Sequence, residues 1–238
     1  MSSATPRQKA VCRAIVSTFE TSPPTCKPKY SEFAVLRDGA GISYGAHQGT
    51  DRSDALDKIV ALYIEREGLL ADELRPYDFS DDSKAGLARR ASDPHLKDVL
   101  ERAGFDPVMQ AAQEEVFEVN YMRPAIAAWA GSSFVETLSL AVLYDSMIHG
   151  SFAAIRDLVP SANERLWIPK YLGRRRREFS IAGSPGARFK NPILRNTLYR
   201  QDTFLALIAR GNWSLETPFL SHGVTVHEDD LILLPEVA

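Results

Sequence analysis

One apolar stretch near the middle of the chain constrains the fold more than any other feature of the sequence. Residues 132–150 read SSFVETLSLAVLYDSMIHG and would place apolar side chains on nearly every face of a helix. Such a helix has no polar face to turn towards water, so other parts of the protein must surround it. The stretch therefore predicts a central buried helix, and a chain of 238 residues is long enough to enclose it.

The sequence around this stretch predicts mostly helices and little sheet. Residues 5–8, TPRQ, resemble a capping box with proline at the first helical position, and apolar residues follow at helical spacing. Residues 22–24, SPP, cannot continue that helix, so Glu20 falls in its last turn. Residues 29–45 alternate weakly and turn at Asp38-Gly39, as a short β-hairpin does. We therefore predict a single α+β domain over residues 1–238, mostly helical, with a small hairpin sheet.

Composition and motifs argue against several classes of protein. Apolar residues make up 45% of the chain and the net charge is −3, which suits a globular protein better than a dedicated nucleic-acid binder. The histidines and the two cysteines show no metal-ligand spacing, and no nucleotide-binding motif occurs. The N-terminus lacks the apolar core of a signal peptide, and no run reaches the roughly 18 apolar residues of a membrane span. We expect no metal, no cofactor and no membrane insertion, and export only by machinery that needs no signal peptide.

Residues 37–45, RDGAGISYG, support two competing hypotheses, and the first makes Ser43 a nucleophile. Residues 41–45 fit G-x-S-x-G, the nucleophile elbow of α/β-hydrolases. That motif needs a buried strand before the serine, a helix directly after it, and the alternating βαβ pattern of a parallel sheet. The polar segments DGAG and AHQGTD flank Ser43 instead. The serine-hydrolase hypothesis is therefore the weaker of the two.

The second hypothesis pairs Asp38 with Glu20. A glycosidase needs one protonated carboxylic acid and one ionised carboxylate, which face each other across the scissile bond. Glu20 lies near the end of a helix, where the negative pole of the helix dipole disfavours an ionised carboxylate. Asp38 lies on a polar, glycine-rich turn where it can stay hydrated and ionised. These opposed environments suit an acid/base pair, although a solvated helix end and an ordinary turn aspartate would also account for the two residues.

Several motifs along the chain resemble those of the family 46 chitosanases. They are ETS at 20–22, a tyrosine at 30, DGAGIS at 38–43, YD at 144–145, HG at 149–150, and the C-terminal helix RQDTFLALIARGNWSLETP at 200–218. The stretch 35–60, VLRDGAGISYGAHQGTDRSDALDKIV, more closely resembles the chitosanase-like muramidase domains of type VI secretion spike proteins and phage lysins. Both groups have the lysozyme-like fold. The resemblance thus implies two mostly helical lobes with a cleft between them.

The resemblance also implies catalytic roles. Glu20 would be the general acid, and Asp38 would be the base that activates a water molecule. Ser43, where the family usually has threonine, would hold that water. The family inverts the anomeric centre, which requires carboxyl groups roughly 6.5–9.5 Å apart.

Further residues take supporting roles by the same resemblance. Asp145 and Arg200 would form a buried charge network that supports the acid, and Arg195 is the other candidate for the arginine. Asp54 matches a substrate-binding aspartate of the family only if one residue is deleted from the alignment. The candidate substrate contacts are Tyr30, Tyr44, His47, Gln48 and Asp54, although His47 could equally be a structural histidine.

Charge distribution distinguishes between two polymeric substrates. From Arg165 to Arg200 the chain carries ten Lys or Arg and one acid, Glu178, and we call this segment the basic stripe. Such a stripe would attract anionic peptidoglycan and repel cationic chitosan if it lay near the cleft, although a solvated helix surface would look the same. We therefore predict an inverting hydrolase of β-1,4 bonds in peptidoglycan strands. Chitosan hydrolysis and a non-catalytic glycan-binding module are the alternatives.

A peptidoglycan hydrolase without a signal peptide suits a secreted effector or a phage lysin. It would be made in the cytoplasm and delivered to the periplasm or cell wall by secretion or lysis machinery. An effector would also imply an immunity protein or a secretion spike as a partner.

Overall fold

The central apolar stretch forms helix α8 (Thr137–Ile148) in the computed structural model, which describes residues 3–36, 41–160 and 162–234. Every residue from Thr137 to Ser146 is buried, as the sequence predicts for a central helix. The helix begins later than the apolar pattern does. Residues 132–136 form a turn in which Ser133 adopts a left-handed backbone conformation, with φ of 56°.

Helices on several sides of α8, together with a two-stranded sheet, build a first hydrophobic core. Helix α1 begins at the predicted capping box, where the Thr5 hydroxyl accepts the N–H of Gln8 and the Gln8 side chain accepts the N–H of Thr5. Helices α1 and α7 pack directly on α8, and α10 packs on α11. The elements around this core are α1 (Pro6–Glu20), α7 (Arg123–Gly131), α9 (Phe152–Arg156), α10 (Glu164–Ser180), α11 (Leu198–Ala209), β4 (Phe219–Ser221) and β5 (Val224–Val226).

A second hydrophobic core lies between a three-stranded antiparallel sheet and another set of helices. Ser43 pairs with Ala34 on one side and with Thr50 on the other, so its strand is the central one. The sequence predicts the hairpin, and the tip of that hairpin, with Asp38, lies outside the described residues. The sequence does not predict the two-residue third strand. The elements are β1 (Phe33–Val35), β2 (Ile42–Tyr44), β3 (Gly49–Thr50), α2 (Ala55–Glu65), α3 (Ala71–Leu74), α4 (Lys84–Ala91), α5 (Pro94–Ala103) and α6 (Pro107–Phe117).

The two cores are joined by continuous helical backbone. Helix α6 runs through a π-helical segment, Glu118–Met122, into α7. Tyr121 and Ile148 pack against both cores. Arg13 on α1 also bonds Glu118 across the junction, with 2.8 Å between Nη2 and Oε2. The chain thus has the predicted mostly helical α+β fold, and within its described ranges no helix combines the length and apolarity needed to cross a membrane.

Candidate active site

A chain of ion pairs runs from Glu20 into the interior of the first core. Glu20 is the last residue of α1, and its Oε1 lies 2.7 Å from Nη2 of Arg200 on α11. The other terminal nitrogen of Arg200 lies 2.8 Å from Oδ1 of Asp145 on α8. The second oxygen of Asp145 lies 2.5 Å from Nη1 of Arg175 on α10. Four helices therefore each supply one charged side chain, and the charges alternate in sign along the chain.

Burial and neighbouring charges set the protonation states within this network. Asp145 and Arg175 are fully buried, and Glu20 keeps only 14% of its side chain exposed. Burial alone would raise the pKa of Asp145, but the positive charges of Arg175 and Arg200 outweigh that effect and lower the pKa to about 2. Burial likewise opposes the charge of Arg200, yet the carboxylates of Glu20 and Asp145 raise the pKa of its guanidinium. At neutral pH both Asp145 and Arg200 are therefore charged.

His149 lies at the end of α8, beside the same network. Burial lowers its pKa, and the charges of Arg200 and Arg175 lower it further, to about 3. Its ring packs against Phe179, with 5.3 Å between ring centroids, and its Nδ1 atom is buried without a hydrogen-bond partner. His149 is therefore a neutral packing residue at neutral pH and adds no positive charge next to the arginines.

Ser43 occupies a position that a nucleophile elbow does not allow. It lies on the central strand of an antiparallel sheet and is followed by a turn and a short strand rather than by a helix. Its Oγ donates a hydrogen bond to Oε1 of Gln48 at 2.7 Å. His47, the nearest histidine in sequence, makes no hydrogen bond through either ring nitrogen. The serine-hydrolase hypothesis is therefore wrong.

Two of the expected substrate contacts are buried structural residues. Tyr44 is 0% exposed and donates its hydroxyl to the Leu100 carbonyl at 2.7 Å, because residue 44 of the central strand faces the second core. His47 is 3% exposed and packs on Phe117, with 4.7 Å between ring centroids. Burial therefore argues against Tyr44 and His47 as substrate contacts.

The other three expected substrate contacts lie nearer the surface. The hydroxyl of Tyr30 donates to Oε1 of Glu114 at 2.9 Å, which ties the segment before the hairpin to α6. The Gln48 side chain bonds Ser43 and the Gly45 carbonyl. Asp54 is exposed just before α2, with φ of 58°, and its side chain does not cap that helix.

The arginine that completes the buried network is Arg175, and Arg195 lies elsewhere. Nε of Arg195 donates to the Ala182 carbonyl at 2.6 Å, and its Nη2 donates to Ser184, so it anchors the loop after α10. The expectation that Arg195 supports the acid is therefore wrong. Arg175 could have been found by periodicity, because it falls on the apolar stripe of α10 formed by Ile168, Tyr171, Leu172 and Phe179.

Gln113 is a further residue of the hairpin region that no sequence pattern selects. This buried side chain on α6 donates Nε2 to the Tyr30 carbonyl at 2.9 Å and accepts the N–H of Ala46 at Oε1, also at 2.9 Å. It thereby holds the backbone at both ends of the hairpin segment. The close approach requires glycine at position 45, where φ is 84° and a Cβ would lie 2.2 Å from Oε1 of Gln113.

The geometry therefore combines a carboxylic acid, held at a helix end by a buried ion-pair chain, with a serine on a braced hairpin. Asp38 lies outside the described residues, so the separation of the two carboxyl groups is not part of this geometry. Among the residues that the structure describes, no group of three His, Cys, Asp or Glu side chains is placed to hold a metal ion. A carboxyl group held in a defined position is one requirement of a hydrolase that works by proton transfer.

Comparison with known sequences agrees with this class of protein. Residues 14–219 match Glycosyl hydrolase family 46, so the chain belongs to that family and is a glycoside hydrolase. A comparison with curated proteins found no match.

Solved chitosanases have the same fold. The chitosanase of Bacillus subtilis MY002 is similar with a TM-score of 0.79 and 20% identity, over 91% of this chain and 95% of that one. The Gynuella sunshinyii GH46 chitosanase GsCsn46A, solved with chitotetraose, has a TM-score of 0.78 and 20% identity, over 95% of this chain and 99% of that one. Chitosanase OU01, solved with substrate, has a TM-score of 0.75 and 20% identity, over 94% of this chain and 97% of that one.

Proposed function

We propose that this protein hydrolyses β-1,4 bonds in chitosan, with inversion, and that Glu20 is the general acid. The observation that carries the proposal is the ion-pair chain from Glu20 through Arg200 to Asp145. Asp38 is the proposed base, and Ser43 is the proposed ligand of the attacking water.

The ion pair gives Arg200 a direct role in proton transfer. When Glu20 donates its proton to the leaving oxygen, a negative charge develops on its carboxylate, 2.7 Å from the guanidinium. The guanidinium is already in place, so stabilising that charge requires no reorganisation. Asp145 balances the charge of Arg200 from the other side. Asp38 would meanwhile accept a proton from the water on the opposite face of the sugar.

The structure weakens the charge argument for peptidoglycan. Arg175 and Arg200 of the basic stripe are buried, and Arg195 is engaged by the loop after α10. Three further members of the stripe form ion pairs with acids, namely Arg165 with Glu136, Arg174 with Glu178 and Arg176 with Asp202. Pairs of this kind weaken the long-range field that would steer an anionic polymer.

Chitosan is the substrate that the relatives favour. A mutant of the Bacillus subtilis MY002 enzyme was solved with 6 GlcN, and the Gynuella sunshinyii enzyme was solved with chitotetraose. At 20% identity these likenesses show the fold, so the transfer of the substrate is part of our proposal.

Peptidoglycan remains the second candidate because of one specific observation. Residues 35–60 resemble the hairpin of the chitosanase-like muramidases. If that candidate is correct, cytoplasmic synthesis followed by delivery through secretion or lysis machinery, with an immunity protein or a secretion spike as a partner, would follow as further proposals. A non-catalytic glycan-binding module is disfavoured, since Glu20 and Asp38 are both retained.

The test is the release of new reducing ends from soluble chitosan and, separately, from purified peptidoglycan sacculi. We expect cleavage of chitosan by the wild type and no cleavage by Glu20→Gln. Glu101→Gln, at an exposed site on α5, is the matched control and should remain active. Cleavage of sacculi alone would replace chitosan by peptidoglycan, and an active Glu20→Gln protein would refute the role of Glu20. Analysis of the first-formed anomer tests inversion.

A further inference from the structure

Two residues of the turn after β2 control the hydrogen bonding of the Ser43 hydroxyl. Oγ of Ser43 lies 2.7 Å from Oε1 of Gln48, and Nε2 of Gln48 lies 3.2 Å from the Gly45 carbonyl oxygen. Ser43 is 2% exposed and Gln48 is half-buried, so this small network is partly shielded from solvent. The Gln48 amide therefore links the Gly45 carbonyl to the hydroxyl assigned to the attacking water.

The Gly45 carbonyl fixes which way round the Gln48 amide lies. A carbonyl oxygen can only accept a hydrogen bond, so the amide nitrogen of Gln48 must face it. The amide oxygen then faces Ser43 and can only accept. The single proton of the Ser43 hydroxyl is consequently directed to Gln48, and its Oγ can enter any further hydrogen bond only as an acceptor.

We propose that Gln48 is a positioning residue that makes Ser43 an acceptor for the attacking water. The inference rests on the proposed function, because it concerns the same hydrolytic water. A water that donates one hydrogen to Ser43 and the other to the base presents a lone pair to the anomeric carbon. If the Ser43 hydroxyl were free to rotate, it could instead donate its proton to that lone pair and block the attack.

The backbone of Gln48 gives independent support. Its φ of 53° is in the left-handed region, which is uncommon for a residue other than glycine. Its N–H donates to the Gly45 carbonyl at 3.1 Å, so backbone and side chain converge on one oxygen. Glycine or asparagine would adopt this conformation more readily, yet neither could reach Ser43 with an amide. A strained residue whose side chain makes one specific contact is typical of a functional site.

The test is a double-mutant cycle between Gln48→Asn and Ser43→Ala, with kcat and KM measured on the substrate that the wild type cleaves. Asparagine tolerates the left-handed backbone but is one methylene too short to hold the hydroxyl. We expect Gln48→Asn to lower kcat by about tenfold or more and to leave KM within about twofold, because the contact orients water rather than substrate. In the Ser43→Ala background the same change should have little further effect on kcat, because Gln48 acts through Ser43.

Controls separate this role from a structural one. Gln110→Asn removes a comparable bond, from Nε2 to the Gly104 carbonyl at 3.0 Å, and should leave kcat unchanged. Equal effects of Gln48→Asn in both backgrounds, or a change confined to KM, would overturn the proposal while the proposed function stands. An inactive wild type would refute both the proposed function and this role.

Discussion

Asp145 does not contact Glu20, the proposed acid, but it bonds the arginine that does. Its carboxylate is fully buried and bonds Arg175 and Arg200 at once, so it sets the position of the guanidinium that holds Glu20. A buried carboxylate between two guanidinium groups is stable only while all three charges are present. Removing the central charge leaves two cations that have lost their shared partner in a region from which water is excluded.

Asp145→Asn should therefore destabilise the protein strongly. We expect the free energy of unfolding to fall by about 3–5 kcal/mol, the usual cost of breaking a buried ion pair. Urea denaturation at pH 7 measures the change. Asp157→Asn, at a site where 76% of the side chain is exposed, is the control and should have little effect. Equal stabilities of the two variants would contradict the structural role assigned to Asp145.

Arg200→Lys should show whether Glu20 needs the forked guanidinium of Arg200 or only its positive charge. One guanidinium nitrogen of Arg200 bonds Asp145 and another bonds Glu20, and a lysine ammonium cannot match this forked geometry. We expect kcat to fall by up to about 100-fold, since small misplacements of catalytic groups have costs of this size. Steady-state kinetics on the cleaved polymer provide the measurement. Arg210→Lys, at the exposed end of α11, is the control and should behave as wild type. An Arg200→Lys protein as active as wild type would show that a positive charge alone suffices.

At the residue scale the sequence predicted some contacts and missed others for a physical reason. The motif resemblance selected Glu20, Asp145 and Arg200, and the structure shows Arg200 bonding both carboxylates. It left Arg195 open as an alternative to Arg200, because it does not show the path of the loop after α10 to which Arg195 bonds, and it did not select Arg175.

The hairpin is the element whose placement depends most on a single close contact. Gln113 bonds the backbone on both sides of the hairpin, and Gly45 leaves room for its amide. The second core thus positions the segment that carries Ser43. This contact has no local sequence signal, since Gln113 lies on a helix far along the chain from the strands it holds.

Gly45→Ala should be much more harmful than Gly211→Ala. Both glycines have left-handed backbones, with φ of 84° and 71°, so both substitutions carry a similar conformational cost of about 1–2 kcal/mol. At position 45 the new Cβ would also lie 2.2 Å from Gln113, whereas at position 211 it meets nothing within 4 Å. Thermal unfolding of the two variants measures the difference. Equal losses would show that Gln113 can move aside without cost.

Element prediction succeeded where the signal was local. The capping box gave the start of α1, and the all-round apolar pattern gave α8. The two-residue strand β3 has no periodicity to detect, and it exists only because Thr50 pairs with Ser43. The start of α8 was misplaced because apolar residues at 134 and 135 extend the pattern into a turn.

At the scale of the whole molecule, the charge pattern of the sequence is a weaker guide to the substrate than the hydrophobic pattern is to the fold class. Hydrophobic patterning determines that the chain is mostly helical, whereas the field at its surface depends on which charges meet after folding. Arg165 and Arg176 look like an uncompensated stripe in the sequence, yet they pair with Glu136 and Asp202 from other elements. Charge along the sequence alone is therefore weak evidence for an anionic partner.

Acid should destabilise the folded protein in two steps that reflect its buried network. His149 has a folded pKa of about 3 against an ordinary value of 6.5, so its contribution to stability is present above pH 6.5 and is lost as pH falls towards 3. Asp145 has a folded pKa of about 2 against 3.8, so its contribution is lost between roughly pH 4 and 2. Burial and the charge of Arg200 also lower the pKa of His222, which adds to the first step.

His149→Gln should reduce the loss of stability that occurs in the first step, as pH falls from 6.5 towards 3. One pKa unit corresponds to about 1.4 kcal/mol, so the ring of His149 accounts for at most about 5 kcal/mol of acid sensitivity. Urea denaturation of wild type and variant at pH 7, 5 and 4 measures the slope of stability against pH. The variant should lose some stability at pH 7, because its ring no longer packs on Phe179, yet show the shallower slope. His95→Gln, where 60% of the side chain is exposed, should keep the wild-type slope, and an unchanged slope in His149→Gln would show that other groups cause the acid sensitivity.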